Sequence, residues 1–158
     1  MLIDTYGRTI NYLRISVTDR CNFRCVYCMP QEGIELQSHQ SIMRYEEIIA
    51  VVKAATKIGV NKIRLTGGEP LVRPGFVEFV AMLREIDEIE EISMTTNGYL
   101  LSKHAKALKE AGLNRVNISL DTLKPQLFKK ITRIGDFEKV WQGVLAAEDA
   151  GLSPVKIN

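Results

Sequence analysis

Apolar and polar positions alternate in short runs along this chain, and several of these runs follow a glycine that closes a stretch of helical spacing. Three segments repeat the unit: IGVNKIRLT from Ile58, AGLNRVNIS from Ala111 and AGLSPVKIN from Ala150. A glycine just past the last helical turn supplies a left-handed cap, and alternation with a period of two predicts a strand. The preceding helices are predicted over 45–58, where Ile48, Ile49, Val52, Ala55 and Ile58 recur at helical spacing, over 102–111, and over 136–150 with Asp136 as cap. Further strands are predicted at 13–18 and 91–95, and a further helix at about 76–86. An alternating series of about five strands is of the α/β class, a parallel sheet with helices outside, open or closed as a barrel.

Strands of a parallel sheet covered on both faces read as nearly continuous apolar runs. These do not. One face carries Leu13, Ile15 and Val17, Ile63 and Leu65, Ile92 and Met94, Val116, Ile118 and Leu120, and Val155 and Ile157. The other carries Arg14, Ser16 and Thr18, Arg64 and Thr66, Ser93 and Thr95, Asn117 and Ser119, and Lys156 and Asn158. With helices on the outside, the second face turns inward. Unpaired buried cations are costly, so Arg14, Arg64 and Lys156 imply water or an anionic ligand there, a solvated open sheet being the alternative. Phosphate groups suit the three charges, and the arginines can hold them bidentately.

The only three cysteines, Cys21, Cys25 and Cys28, fall in DRCNFRCVYCMP with CxxxCxxC spacing. Positions i, i+4 and i+7 share a helix face, but Asn22, Phe23, Arg24, Val26 and Tyr27 complete no apolar stripe, and Pro30 and Gly33 mark a loop. A structural zinc site needs a fourth ligand, and the two histidines, His39 and His104, are distant in sequence. An odd cysteine count argues against a disulfide framework. Three thiolates suit an iron–sulfur cluster in which one iron keeps a position free of protein.

Composition narrows the partners. With 21 basic and 19 acidic residues well mixed, the net charge of +2 gives no general nucleic-acid or membrane surface. No apolar run approaches the roughly 20 residues of a membrane span, and MLIDTYGR lacks the apolar core of a signal sequence, so a cytoplasmic protein is expected.

TGGEP at 66–70, TTNG at 95–98 and SLD at 119–121 all sit at predicted strand ends, where α/β ligand sites lie. Each alone is readable as turn chemistry, and Glu69 as a carboxylate at a helix start. Their common location carries more than any one of them. The polar stretch 31–42 is read as a loop covering the cysteines; the 84–91 charge run, Trp141, His39 and His104 are read as solvated surface, core and surface residues without a role.

CxxxCxxC followed by a GGEP turn resembles the radical S-adenosylmethionine superfamily. More narrowly, GRTINYLRISVTDRCNFRCVYCMPQEG, IRLTGGEPLVR, TTNG, NRVNISLDTL and PVKIN together resemble the molybdenum cofactor biosynthesis protein A family, the GTP 3',8-cyclases. The resemblance implies a partial (β/α)6 TIM-like barrel in which Cys21, Cys25 and Cys28 hold a 4Fe-4S cluster, with S-adenosyl-L-methionine on the fourth iron. It further implies that a 5'-deoxyadenosyl radical converts GTP to (8S)-3',8-cyclo-7,8-dihydroguanosine 5'-triphosphate. By motif position, Tyr27, Gly68 and Ser119 are expected to contact S-adenosylmethionine, and Arg14, Arg64, Thr95 and Lys156 to contact GTP, with Arg14 also the candidate catalytic residue.

The partners so implied are GTP, an electron donor for the cluster, and either a complementing C-terminal chain or a second copy. The family's last barrel strand, its second three-cysteine cluster, another S-adenosylmethionine contact and a C-terminal double glycine have no counterpart, so residues 1–158 are expected to form a truncated core domain. Two other readings stay open: a different radical S-adenosylmethionine enzyme, such as a peptide-modifying one, and an inactive half-barrel that binds a metal or a partner.

Overall fold

The computed structural model describes residues 2–158 and, for His39, the backbone alone, so the surface reading of that side chain lies outside it. Strands β1 (Leu2–Ile3) and β2 (Thr9–Ile10) form a small antiparallel hairpin, followed by β3 (Tyr12–Ser16). Then come α1 (Tyr45–Thr56), β4 (Lys62–Thr66), α2 (Phe76–Arg84), β5 (Glu91–Thr96), α3 (Leu101–Glu110), β6 (Arg115–Ile118), α4 (Pro125–Thr132), α5 (Phe137–Asp149) and β7 (Lys156–Ile157). Five strands form one parallel sheet in chain order, β3-β4-β5-β6-β7. Its outer strands β3 and β7 do not pair, so the α/β partial barrel expected from the resemblance is present and no barrel closes among the described residues.

The repeated helix-glycine-strand unit is one hydrogen-bonded device used three times. Gly59, Gly112 and Gly151 have φ of 103°, 100° and 72°, which turns the chain back over the helix end. The next N–H then reaches a carbonyl in the helix's last turns: Val60 to Ala55, Leu113 to Leu108 and Leu152 to Ala147. Val60, Leu113 and Leu152 are themselves buried and seal each junction from the apolar side. Asp136 caps α5 as expected, its carboxylate accepting the Glu138 N–H at 3.1 Å.

Ile63, Leu65, Ile92, Met94, Val116 and Ile118 are fully buried on the sheet's apolar face, each burial being worth roughly 1.5–3 kcal/mol. Two expected apolar positions differ. Ile58 is 46% exposed because α1 ends at Thr56, before it, and Ile157 is 45% exposed because β7 is an edge strand.

Helix α4 has no counterpart in the periodicity reading. Its eight residues bury only Phe128 and Thr132, too few turns and too few apolar positions to mark a period. Phe128 nevertheless centres an aromatic cluster, edge-on to Phe23 at 6.0 Å and to Phe137 at 5.9 Å.

Candidate functional site

The cysteine segment leaves the carboxyl end of β3 and is held first by backbone. Beyond the paired strands, Val17 N–H donates to Thr66, Gly68 N–H to Thr18 at 2.8 Å and Glu69 N–H to Arg20 at 2.8 Å. The TGGE segment thus continues the β3–β4 ladder into the cysteine segment, and a Cβ at Gly68 would strike the Arg20 carbonyl. Glycine is required there by the approach of two backbones.

Phe23, 2% exposed, then pins the segment into the core, edge-on to Tyr99 at 5.7 Å. The end of α4 holds its other side. Thr132 and Ile131 carbonyls accept the N–H groups of Arg24 and Val26, while the Arg133 guanidinium donates to the Arg24 and Met29 carbonyls at 2.8 and 2.9 Å. Arg133 does so with φ of 63°, an uncommon conformation for a residue with a Cβ. The loop 31–42 covers part of the segment: Glu32, Gly33, Ile34 and Leu36 face Cys21, Arg24 and Met29 across a recess of about 360 Å³.

All three cysteines carry free thiols, Cys21 and Cys25 half-buried and Cys28 exposed. Burial pushes the Cys21 and Cys25 thiols above their ordinary range, and repulsion among the three sulfurs adds to it. Opposing this at Cys21, the Phe23 N–H and the Asn97 amide approach the sulfur.

Among the described residues, no three of His, Cys, Asp and Glu converge as the ligands of one ion would. A cluster, whose irons each take one thiolate, does not ask for that convergence. Three clustered thiols, one of whose sulfurs faces two N–H donors, fit a cluster.

Glu69 does more than start a helix. It is fully buried, and its carboxylate accepts the Leu71 N–H at 3.1 Å, the Thr96 hydroxyl at 2.8 Å and the Asn97 N–H at 2.7 Å. One carboxylate therefore ties the strand end of β4 to that of β5. Burial raises its carboxyl above the ordinary value despite the three donors. At the end of β6, half-buried Ser119 donates its N–H to Thr96, and Asp121 accepts the Tyr27 hydroxyl at 3.0 Å. Burial and the Asp121 carboxylate raise the Tyr27 hydroxyl. Tyr27, Gly68 and Ser119 thus lie with the cysteines at the carboxyl ends of the strands.

The polar face carries the other candidates. Arg14 lies directly opposite Arg64, and Thr95, Asn117 and Lys156 form a row across β5, β6 and β7. Arg14, Arg64 and Lys156 enter no ion pair among the described residues. The Arg64 guanidinium lies over the Tyr12 ring at 5.5 Å, and its Nε is buried without a hydrogen-bond partner.

This face is less enclosed than the sequence reading expects. Arg14 and Lys156 are exposed because they occupy the edge strands of an open sheet. Ser93 and Asn117 are buried instead, the Ser93 hydroxyl donating to the Ile63 carbonyl.

Two groups escape the sequence reading. Arg115 begins β6 on the polar face and pairs with Glu91 at 2.7 Å; alternation extended one step before Asn117 would have found it. The Asn97 side chain reaches from TTNG to Asn22 and Cys21, which no spacing between distant segments announces.

The family model of the radical SAM superfamily matches residues 15–158. The chain belongs to the radical SAM superfamily. The superfamily's chemistry rests on a 4Fe-4S cluster and S-adenosylmethionine.

This radical SAM chain is 59% identical over 157 residues to the GTP 3',8-cyclase of Petrotoga mobilis, covering 99% of itself and 49% of that protein. It is 58% identical over 158 residues to that of Peptoclostridium acidaminophilum, covering 100% and 49%. The chain spans about half the length of the curated relatives it matches.

Among solved structures, Streptococcus suis SuiB bound to precursor peptide SuiA has a TM-score of 0.77 at 19% identity, covering 94% of this chain and 32% of that one. The anSMEcpe protein with bound AdoMet has a TM-score of 0.66 at 24% identity, covering 93% and 40%. These two share the fold. No helix among the described residues is long and apolar enough to cross a membrane.

Proposed function

We propose that this chain is the cluster-bearing, nucleotide-receiving part of a GTP 3',8-cyclase, which converts GTP to (8S)-3',8-cyclo-7,8-dihydroguanosine 5'-triphosphate in molybdenum cofactor biosynthesis. The observation that carries this reading is the Arg14–Arg64 cross-strand pair. Two arginines directly opposed on one sheet face, with no carboxylate to pair them among the described residues and one buried Nε unpartnered there, ask for an anion that brings its own oxygens. A triphosphate meets that demand, and identity of 59% to a GTP 3',8-cyclase agrees with it.

In this reading Cys21, Cys25 and Cys28 hold the 4Fe-4S cluster, and Tyr27, Gly68 and Ser119 contact S-adenosylmethionine at the strand ends. The bound cofactors supply an electron and a carbon-centred radical for hydrogen abstraction. Arg14, Arg64 and Lys156 neutralise and orient the phosphates, Thr95 offers a hydroxyl in the row of Lys156, and Arg14 is also the candidate catalytic residue. The exposed edge of β7 receives the rest of the barrel, from the remaining length of the relatives' chain, a complementing chain or a second copy. A separate electron donor reduces the cluster, and the protein works in the cytoplasm.

Anaerobic reconstitution with iron and sulfide tests the reading. The expected product is a brown protein with about four irons per chain, whose reduced-state paramagnetic signal changes when S-adenosylmethionine is added. A colourless protein, or one that takes up zinc in preference to iron, would remove the basis for it.

A further inference from the structure

Resting on the reading of the three cysteines as cluster ligands, we propose that Asn97 is a positioning residue that tunes the cluster by holding an amide N–H against the sulfur of Cys21. The orientation of this amide is fixed by its neighbours. The Tyr99 N–H donates to Asn97 Oδ1 at 3.0 Å, so the nitrogen faces the other way. That nitrogen donates to Asn22 Oδ1 at 2.7 Å and reaches Cys21 Sγ at 3.9 Å, a sulfur-acceptor distance, so both of its protons are directed into the cysteine segment.

The backbone of Asn97 is held as firmly. Its N–H is taken by the fully buried Glu69, which also accepts from Thr96 and Leu71. A continuous route of hydrogen bonds therefore runs from the GGE turn, through the end of β5, to one cysteine sulfur. The Tyr27 hydroxyl is committed to Asp121, and the donors at the Cys21 sulfur are the Asn97 amide and the Phe23 backbone N–H.

A donor at a thiolate ligand withdraws negative charge from the sulfur. It stabilises the more electron-rich reduced cluster more than the oxidised one, and so raises the reduction potential. Without it, the oxidised state gains.

The test is potentiometric titration of the reconstituted chain with dithionite, compared with Asn97→Ala and Asn97→Asp. At the wild-type midpoint the reduced-to-oxidised ratio is expected to fall about three- to tenfold in Asn97→Ala, tenfold being about 59 mV for one electron. It is expected to fall further in Asn97→Asp, which is isosteric and keeps an oxygen for the Tyr99 N–H but turns no N–H toward Cys21 and adds a charge.

A merely structural residue gives the opposite order, with the isosteric Asp variant close to wild type and the Ala variant displaced. That order, or three equal midpoints at equal iron content, overturns the proposal. Loss of the cluster from both variants with the fold intact by circular dichroism also overturns it, assigning Asn97 to loop support. Failure of the wild-type chain to take up iron is a separate result, and it counts against the proposed function itself.

Discussion

Glu69 shows how one residue sets the geometry of two strand ends. Its three donors come from Leu71, Thr96 and Asn97, all fixed in place, so the carboxylate cannot be exchanged for a group that presents protons. Glu69→Gln turns an NH2 toward at least one of these donors. The expected cost is about 2 kcal/mol, read as a lower urea midpoint at unchanged slope. The same residue gives a pH dependence. Its ordinary value is 4.5 and burial raises it in the folded chain, so between the two values the folded state keeps a proton that the unfolded state has lost. Stability is therefore expected to decline as pH rises from 4.5 and to level off above the folded value, and Glu69→Gln removes that declining component. Local pattern puts Glu69 at a strand-end turn, where it reads as a carboxylate at a helix start. A cap is what Leu71 alone would make of it; the contacts to Thr96 and Asn97 depend on two strands lying side by side, which local pattern does not encode.

Helices show the same division between local and non-local information. Helices α1, α3 and α5 were legible because each repeats an apolar stripe and ends on a glycine, and the hydrogen bonds that follow those glycines are local. Helix α4 was not, although it braces the cysteine segment with two carbonyls and the Arg133 guanidinium. Its single deep apolar anchor is Phe128, 1% exposed between Phe23 and Phe137. Phe128→Ala is expected to cost about 3–5 kcal/mol and to lower iron uptake, because Phe23 loses the ring that seats it. Leu127→Ala, one position away and 44% exposed, is expected to stay within about 0.5 kcal/mol. Helix α5 yields a test in which two effects oppose. Exchanging a mid-helix glycine for alanine ordinarily gains up to about 1 kcal/mol. At Gly143 the added Cβ would meet the Gly98 carbonyl oxygen, backbone that cannot turn aside. Gly143→Ala is expected to destabilise by about 1–3 kcal/mol in thermal unfolding; a stabilised variant would show that α5 can move away from the TTNG turn at little cost.

Across the whole molecule, the parallel sheet separates two environments that the alternating pattern had already assigned: an apolar face beneath helices and a polar face bearing Arg14, Arg64 and Lys156. What alternation could not assign was depth, because edge and centre strands read alike. Arg14 and Lys156 keep their water on the edge strands, while Arg64, one strand inward, loses part of its own, as its buried Nε records. The three cations therefore differ in what an anion gains from them. A half-buried guanidinium with an unsatisfied donor gives up little hydration on binding, whereas an exposed ammonium gives up more and is screened by salt. The chain's net charge of +2 is too small to supply attraction from a distance, so the triphosphate binding proposed above would rest on these local groups. Titration calorimetry with GTP is expected to show Arg64→Ala as the most damaging single replacement. Loss of a charge-assisted hydrogen bond is worth about 1.5–3 kcal/mol, roughly a ten- to hundredfold change in Kd. Arg14→Ala should be weaker in effect, and Lys156→Ala weakest and most readily masked by added salt. Guanosine, which lacks the phosphates, should bind all four proteins alike. Equal affinity of the wild type and the Arg14→Ala/Arg64→Ala double variant for GTP would mean that the cationic face is a solvated surface, and the nucleotide would have to be sought elsewhere on the molecule.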